Sequence, residues 1–140
     1  MPVALEIVSP EKLLLSKHVD MVVIPASEGD MGVLEGHTPM IVTLRGGTIA
    51  LYDGDTITDR LFVCGGFAEV TPERCTVLAN EVAPITDYNR TEAEQRLADA
   101  DAALASLDPS DLVGEELALE RHQTAQALIE ALEDVIAGGH

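Results

Sequence analysis

The hydrophobic period changes once along this chain, near residue 86, and that change limits the fold more than any single motif. Before it, apolar residues come in short runs: Val3-Ala4-Leu5-Glu6-Ile7-Val8, Val19 to Pro25, Met40 to Leu44, Thr48 to Tyr52, Leu61 to Cys64, Phe67 to Val70 and Cys75 to Ala79. Turn residues separate them: Ser9-Pro10, Asp53-Gly54-Asp55 and Thr71-Pro72-Glu73-Arg74. Short strands at close spacing with turn chemistry between them predict a β-sandwich or barrel. After residue 86 the period becomes helical. Leu97, Ala100, Leu104 and Leu107 recur at spacings of three and four, as one stripe on a helix.

Asp108-Pro109-Ser110-Asp111 then reads as a stop and a restart, with Asp108 as N-cap and Pro109 in the first helical position. A second helix follows with Leu117, Leu128, Leu132 and Val135 on one face, interrupted by Arg121 and Thr124, and Gly138-Gly139 ends it. A connection this short makes the two helices antiparallel. The hairpin has few large apolar side chains. Each buried Leu contributes about 1.5–3 kcal/mol, against about 1–2 kcal/mol per residue for ordering the backbone. The pair is therefore expected to depend on docking against the sandwich or a partner.

Charge and composition exclude several functions. Eight basic residues stand against 25 acidic ones, a net charge of −17, which argues against nucleic acids and anionic membrane surfaces. Aromatics are 3% and Trp is absent, so the core must be aliphatic and a sugar-binding platform is poorly supplied. No apolar run approaches the roughly 20 residues that cross a bilayer. Residues 1–10 have neither the basic start and apolar middle of a signal peptide nor the Arg-rich character of a transit peptide, so a cytoplasmic protein is expected. Cys64 and Cys75 lie in strand-like runs without metal-ligand spacing and read as reduced, buried thiols.

One segment stands apart: Ser27-Glu28-Gly29-Asp30-Met31-Gly32-Val33-Leu34-Glu35-Gly36-His37-Thr38-Pro39. It reads as a loop of specified shape that also carries apolar residues, hence as a contact surface. No nucleophile elbow or phosphate-cradling loop occurs. His37 beside Glu35 offers a metal ligand or a base, and an acid-rich metal hydrolase would use that pair; a hydrogen-bonded loop histidine is the plainer reading. A free-standing sandwich that binds a peptide or a sugar is a further alternative. Asp53 with Asp55 is a hairpin turn rather than a cation site.

Four stretches in order carry a resemblance: Leu5 to Glu11; Ser27 to Leu34 followed by Gly36-His37-Thr38-Pro39; Gly65-Gly66-Phe67-Ala68-Glu69-Val70; and Thr76-Val77-Leu78-Ala79. With them the chain resembles the epsilon subunit of the bacterial F-type (proton-translocating) ATP synthase. The resemblance implies a non-catalytic central-stalk subunit that needs no cofactor or metal. It implies a mainly β plus α fold, with a ten-stranded β-sandwich over residues 1–85 and an antiparallel helical hairpin over 86–140. The implied partners are the gamma subunit and the membrane rotor, the c-ring. Glu28, Gly29, Asp30, Met31 and Gly32 would meet the c-ring, and His37, Met40, Ile41 and Val42 would lie on the gamma side. The implied place is the cytoplasmic face of the bacterial inner membrane, peripheral and without lipid insertion. The family often has Pro or Ala where Glu35 stands.

In some relatives the hairpin extends along gamma, meets an acidic segment of the beta subunit through basic residues, and blocks ATP hydrolysis. Residues 86–140 here hold three Arg against thirteen acids, a net −10, so contact with alpha and beta subunits is expected to inhibit weakly. Some relatives also bind ATP through an Ile-Asp-x-x-Arg-Ala motif. Asp87 and Arg90 keep that spacing, but Thr86 and Thr91 replace the flanking residues, so a vestigial motif with weak or no ATP binding is expected.

Overall fold

The structure, a computed structural model, describes residues 2–136. Eight strands are followed by two helices: β1 (Val3–Val8), β2 (Leu13–Val19), β3 (Met21–Ala26), β4 (Gly29–Val33), β5 (Met40–Asp53), β6 (Thr56–Val70), β7 (Arg74–Ala79), β8 (Val82–Pro84), α1 (Arg90–Ala105) and α2 (Leu112–Ile136), with a short 3-10 turn at Ile85–Asp87 before α1. The hydrogen-bonded order is β2-β1-β7-β6-β5-β3-β4, with β8 also on β6, and only β1–β7 is parallel. Strands from the two ends of that path share one core: Val3, Leu5 and Ile7 of β1 lie in the same buried cluster as Val22 and Ile24 of β3 and Val33 of β4. The path therefore folds back on itself as a sandwich.

The ten strands expected become eight because β5 and β6 each serve both layers. Gly66–Val70 of β6 pairs with β7, whereas Leu61–Val63 pairs with β8. β5 pairs with β3 mainly through its C-terminal half. Counted by layer, β5 and β6 contribute twice, which restores five segments on each side. The bend falls at glycines. Gly66 has φ +125°, and a Cβ there would stand 2.2 Å from the Leu78 carbonyl oxygen, so no other residue fits.

The helices dock on the outer face of one layer. Leu61 and Val63 point into the sandwich, while Phe62 packs with Ile85, Tyr88, Ala93, Leu128 and Leu132 in a second cluster. This explains why Leu61 to Cys64 is apolar on both faces. Asn89 caps α1 by accepting the Glu92 N–H at 2.8 Å. α2 begins three residues later than the sequence suggests. Asp108 accepts the Ser110 N–H and hydroxyl in a turn of its own, and Asp111 takes over the cap by accepting the Gly114 N–H at 2.9 Å. The apolar face of α2 also shifts: Ala118, Ala125, Leu128 and Leu132 are buried, whereas Leu117 is half-exposed and Val135 is exposed. The expected helix end at Gly138-Gly139 lies outside the described residues.

Candidate functional site

The first part of the Gly-rich segment is a β-hairpin, and residues 34–39 form the loop the sequence suggests. β3 and β4 pair antiparallel from Val22↔Val33 to Ala26↔Gly29, so only Ser27 and Glu28 turn. Hairpin pairing satisfies the backbone groups that an irregular loop would leave open. The alternation this imposes sorts the expected contact residues. Glu28 and Gly29 are exposed at the tip, and Gly32 is exposed on β4. Asp30 is also exposed, but Arg45 of β5 engages its carboxylate at 2.5 Å. Met31 leans onto the sandwich core and is only partly exposed.

The segment after it divides in the same way. His37 donates from Nδ1 to the Thr38 carbonyl at 2.8 Å, the hydrogen-bonded loop histidine of the plainer reading. Val42 packs onto the core, whereas Met40 and Ile41 are exposed, Ile41 by 70%. Ile41 does not stand alone. Register places Leu13 beside Val8, Val8 beside Leu78, Leu78 beside Phe67 and Phe67 beside Thr43, one row across the layer that the helices do not cover. Leu13, Leu78, Phe67 and Ile41 are all at least 38% exposed. Neighbours across paired strands are about 5 Å apart, so Leu13, Val8, Leu78 and Phe67 form a continuous apolar row that ends at Thr43, and Ile41 stands in the next row, opposite Glu69 and diagonal to Phe67. The sequence reading missed Phe67, Leu78 and Leu13. Their signal was present, since an apolar residue follows or precedes the inward-facing one in each strand.

Polar contacts hold the hairpin where apolar area is scarce. Arg96 of α1 reaches Glu81, in the turn before β8, through both terminal nitrogens at 2.9 and 3.4 Å, and reaches Glu92 at 3.1 Å. Tyr88 donates to the same Glu81 carboxylate at 2.9 Å and stacks edge-on against Phe62, and the Arg96 guanidinium lies over its ring. Burial alone would raise the Glu81 carboxyl, but the Arg96 and Tyr88 hydrogen bonds and the Arg96 charge outweigh it and hold it below the usual Glu range. Burial and the Glu81 bond push the Tyr88 hydroxyl up. Gln123 of α2 clamps the backbone of Gly46, accepting its N–H at 3.2 Å and donating to its carbonyl at 2.8 Å. A Cβ on Gly46 would stand 2.3 Å from the Thr124 hydroxyl oxygen, so this glycine lets α2 approach β5. Thr124, which interrupted the apolar face in sequence, is the residue that sits on it.

The two helices are pinned to each other by Arg90–Glu133 at 3.3 Å and His122–Asp101 at 2.9 Å. Arg90 also bonds Glu94 at 2.9 Å, so the arginine of the vestigial motif is already held by two carboxylates; Asp87 is exposed in the 3-10 turn. A cleft of about 1150 Å³ separates the hairpin from the bend of the sandwich, lined by Ile41 and Phe67 on one side and Arg96, Ala103, Arg121 and Thr124 on the other. Cys64 and Cys75 are free, and burial pushes both thiols up to about 11. Among the described residues no cluster of His, Cys, Asp and Glu is arranged to hold a metal, and His37 and Glu35 are not brought into one.

A sandwich with an exposed apolar row on one face, a β-hairpin tip and a latched helical pair defines a subunit suited to contact with other chains. A profile described as "ATP synthase, Delta/Epsilon chain, beta-sandwich domain" matches residues 2–85. The chain is 61% identical over 128 residues to the ATP synthase epsilon chain of Granulibacter bethesdensis, covering 91% of this chain and 95% of that one. It is 42% identical to that of Gluconacetobacter diazotrophicus over 94% and 93% of the two chains. Among solved structures, a chain of the Euglena gracilis mitochondrial ATP synthase (OSCP/F1/c-ring) superposes with a TM-score of 0.76 at 27% identity, covering 94% of this chain and 81% of that one. This chain belongs to the epsilon-chain family of the F-type ATP synthase. It is a non-catalytic subunit of the rotor stalk.

Proposed function

We propose that this subunit transmits rotation between the c-ring and gamma through the sandwich, residues 1–85, while the hairpin, residues 86–140, stays latched and inhibits weakly. The exposed apolar row supports a gamma contact through Phe67 and Leu78, with Ile41 diagonal to Phe67 and Met40 exposed at the start of β5. His37 borders that segment, and Val42 supports it from the core side. A torque-bearing contact needs buried area without slippage, and apolar side chains on paired strands supply a stiff surface. The tip residues Glu28 and Gly29, with Asp30 and Gly32 beside them, suit the polar loops of the c-ring. Asp30 enters that contact as half of an ion pair with Arg45, and Met31 sets the shape of the hairpin from within. The working position is peripheral, at the cytoplasmic face of the bacterial inner membrane.

Two features support weak inhibition and weak or absent ATP binding by the hairpin. Its net charge repels an acidic partner, and Arg90 and Arg96 are engaged by the chain's own carboxylates. Contacts with alpha and beta subunits are accordingly minor.

The observation that carries this reading is the exposed row from Leu13 to Phe67, with Ile41 diagonal to its end. The test is assembly of the complex with Ile41→Ser/Phe67→Ser. The variant is expected to fold, because both side chains are outside the core, yet to lose co-purification with gamma. Full retention of gamma and of coupled ATP synthesis would contradict it. Calorimetry on the isolated subunit checks the second point, and sub-millimolar ATP affinity would count against it.

A further inference from the structure

The N-terminal half of α2 presents apolar side chains that nothing among the described residues covers. Leu112 is 73% exposed, Val113 70%, Leu117 50% and Leu119 51%. Leu112, Glu116, Leu119 and Gln123 follow at spacings of four, three and four, one line along the helix, with Glu115 and Glu120 on its flanks. These six residues line one shallow groove. Val113 and Leu117 form a parallel strip beside it. Apolar residues concentrated in two turns of a helix are a contact surface rather than scattered exposure. α2 docks on the sandwich through Gln123, Thr124, Leu128 and Leu132, so the turns from Leu112 to Leu119 are not what holds the hairpin down.

Charge identifies the occupant. The groove carries Glu115, Glu116 and Glu120, and the nearest fixed positive charge in sequence is Arg121. A second copy of this chain, itself at −17, brings like charge to the groove, and an anionic lipid surface does the same. We infer that this half of α2 is a docking site for a cationic amphipathic helix of another protein, whose aliphatic residues lie between Leu112 and Leu119 and whose Lys or Arg side chains reach the three glutamates. A helix in a groove reads through anchors three, four and seven residues apart, and Leu112, Glu116 and Leu119 stand at offsets of four and seven. The inference stands on α2 and is independent of the sandwich contacts proposed above.

The test titrates the full-length, isotope-labelled chain with two synthetic probes, a short amphipathic Leu/Lys helix and its Leu/Glu counterpart, and follows backbone amide shifts. The Leu/Lys probe is expected to give saturable shifts confined to residues 112–123, weakening with salt. Leu112→Ser/Leu119→Ser is expected to weaken it at least about tenfold, or about 1.4 kcal/mol, with an unchanged melting temperature. Shifts spread over the whole acidic surface, equal binding of the Leu/Glu probe, or binding that survives the double variant would overturn the inference. In the assembled ATP synthase, a photo-cross-linker at position 119 should capture a peptide rich in Lys or Arg. Capture of a second copy of this chain, or of an acidic peptide, would overturn it equally.

Discussion

The sandwich and the hairpin are held by different forces. The sandwich buries Val3, Leu5, Ile7, Val22, Ile24, Ile49 and Leu51 completely, an aliphatic interior shared by both layers. The hairpin buries mostly alanines, Ala93, Ala100, Ala118 and Ala125, with Leu128 and Leu132 as its large anchors. What it lacks in buried area it replaces with directed contacts: Arg96 and Tyr88 on Glu81, Gln123 on Gly46, and Arg90 on Glu133. A region held by area resists single losses at its surface. A region held by one small cluster and a few latches is loosened by losses that the sandwich tolerates.

Substitutions should separate the two. Phe62→Ala removes the aromatic that the hairpin caps and should cost about 3–5 kcal/mol, as large aromatic truncations in cores do. Hydrogen exchange should show α1 and α2 losing protection while β1 and β7 keep theirs. Leu5→Ala should cost about 2–5 kcal/mol and should lower protection in both regions together, since the hairpin rests on the sandwich. Equal patterns for the two variants would erase the distinction.

Gln123→Ala should be milder, about 1–3 kcal/mol, because the Gly46 N–H and carbonyl lose their partners. Its effect should again be confined to the helices. The smallest effect is expected from acid. Glu81 has its folded pKa below the unfolded value, so its contribution is present above the ordinary Glu pKa of about 4.3 and is lost as pH falls through the lower folded value. Near-ultraviolet signals from Tyr88 should report loosening of the hairpin in that range before the sandwich unfolds. Glu81→Gln should flatten that pH dependence, and an unchanged acid profile would show that the latch carries nothing.

The sandwich was legible in the sequence because β period two and turn residues are local signals: Asp53-Gly54-Asp55 became the β5–β6 turn, and Val3, Leu5 and Ile7 became the inner face of β1. Within the Gly-rich segment, strand β4 was missed because its glycines suppress the alternation that marks a strand, leaving only Met31 and Val33 on the inner side, whereas residues 34–39 are the loop expected. The proposed contact residues were half legible. Ile41 was named through the family resemblance, but Phe67 and Leu78 come together only through the strand register, which pairs residues far apart in sequence. The latches were not legible. Gly46 and Gln123 are 77 residues apart, and no local pattern announces a helix settling on a glycine.

The central claim is that coupling runs through the sandwich and not through the hairpin. Its most direct test is the assembled enzyme with residues 87–140 deleted, measured for proton-driven ATP synthesis and for ATP hydrolysis. The account predicts that synthesis is retained and that hydrolysis barely rises. A several-fold rise in hydrolysis, or a collapse of synthesis, would contradict it.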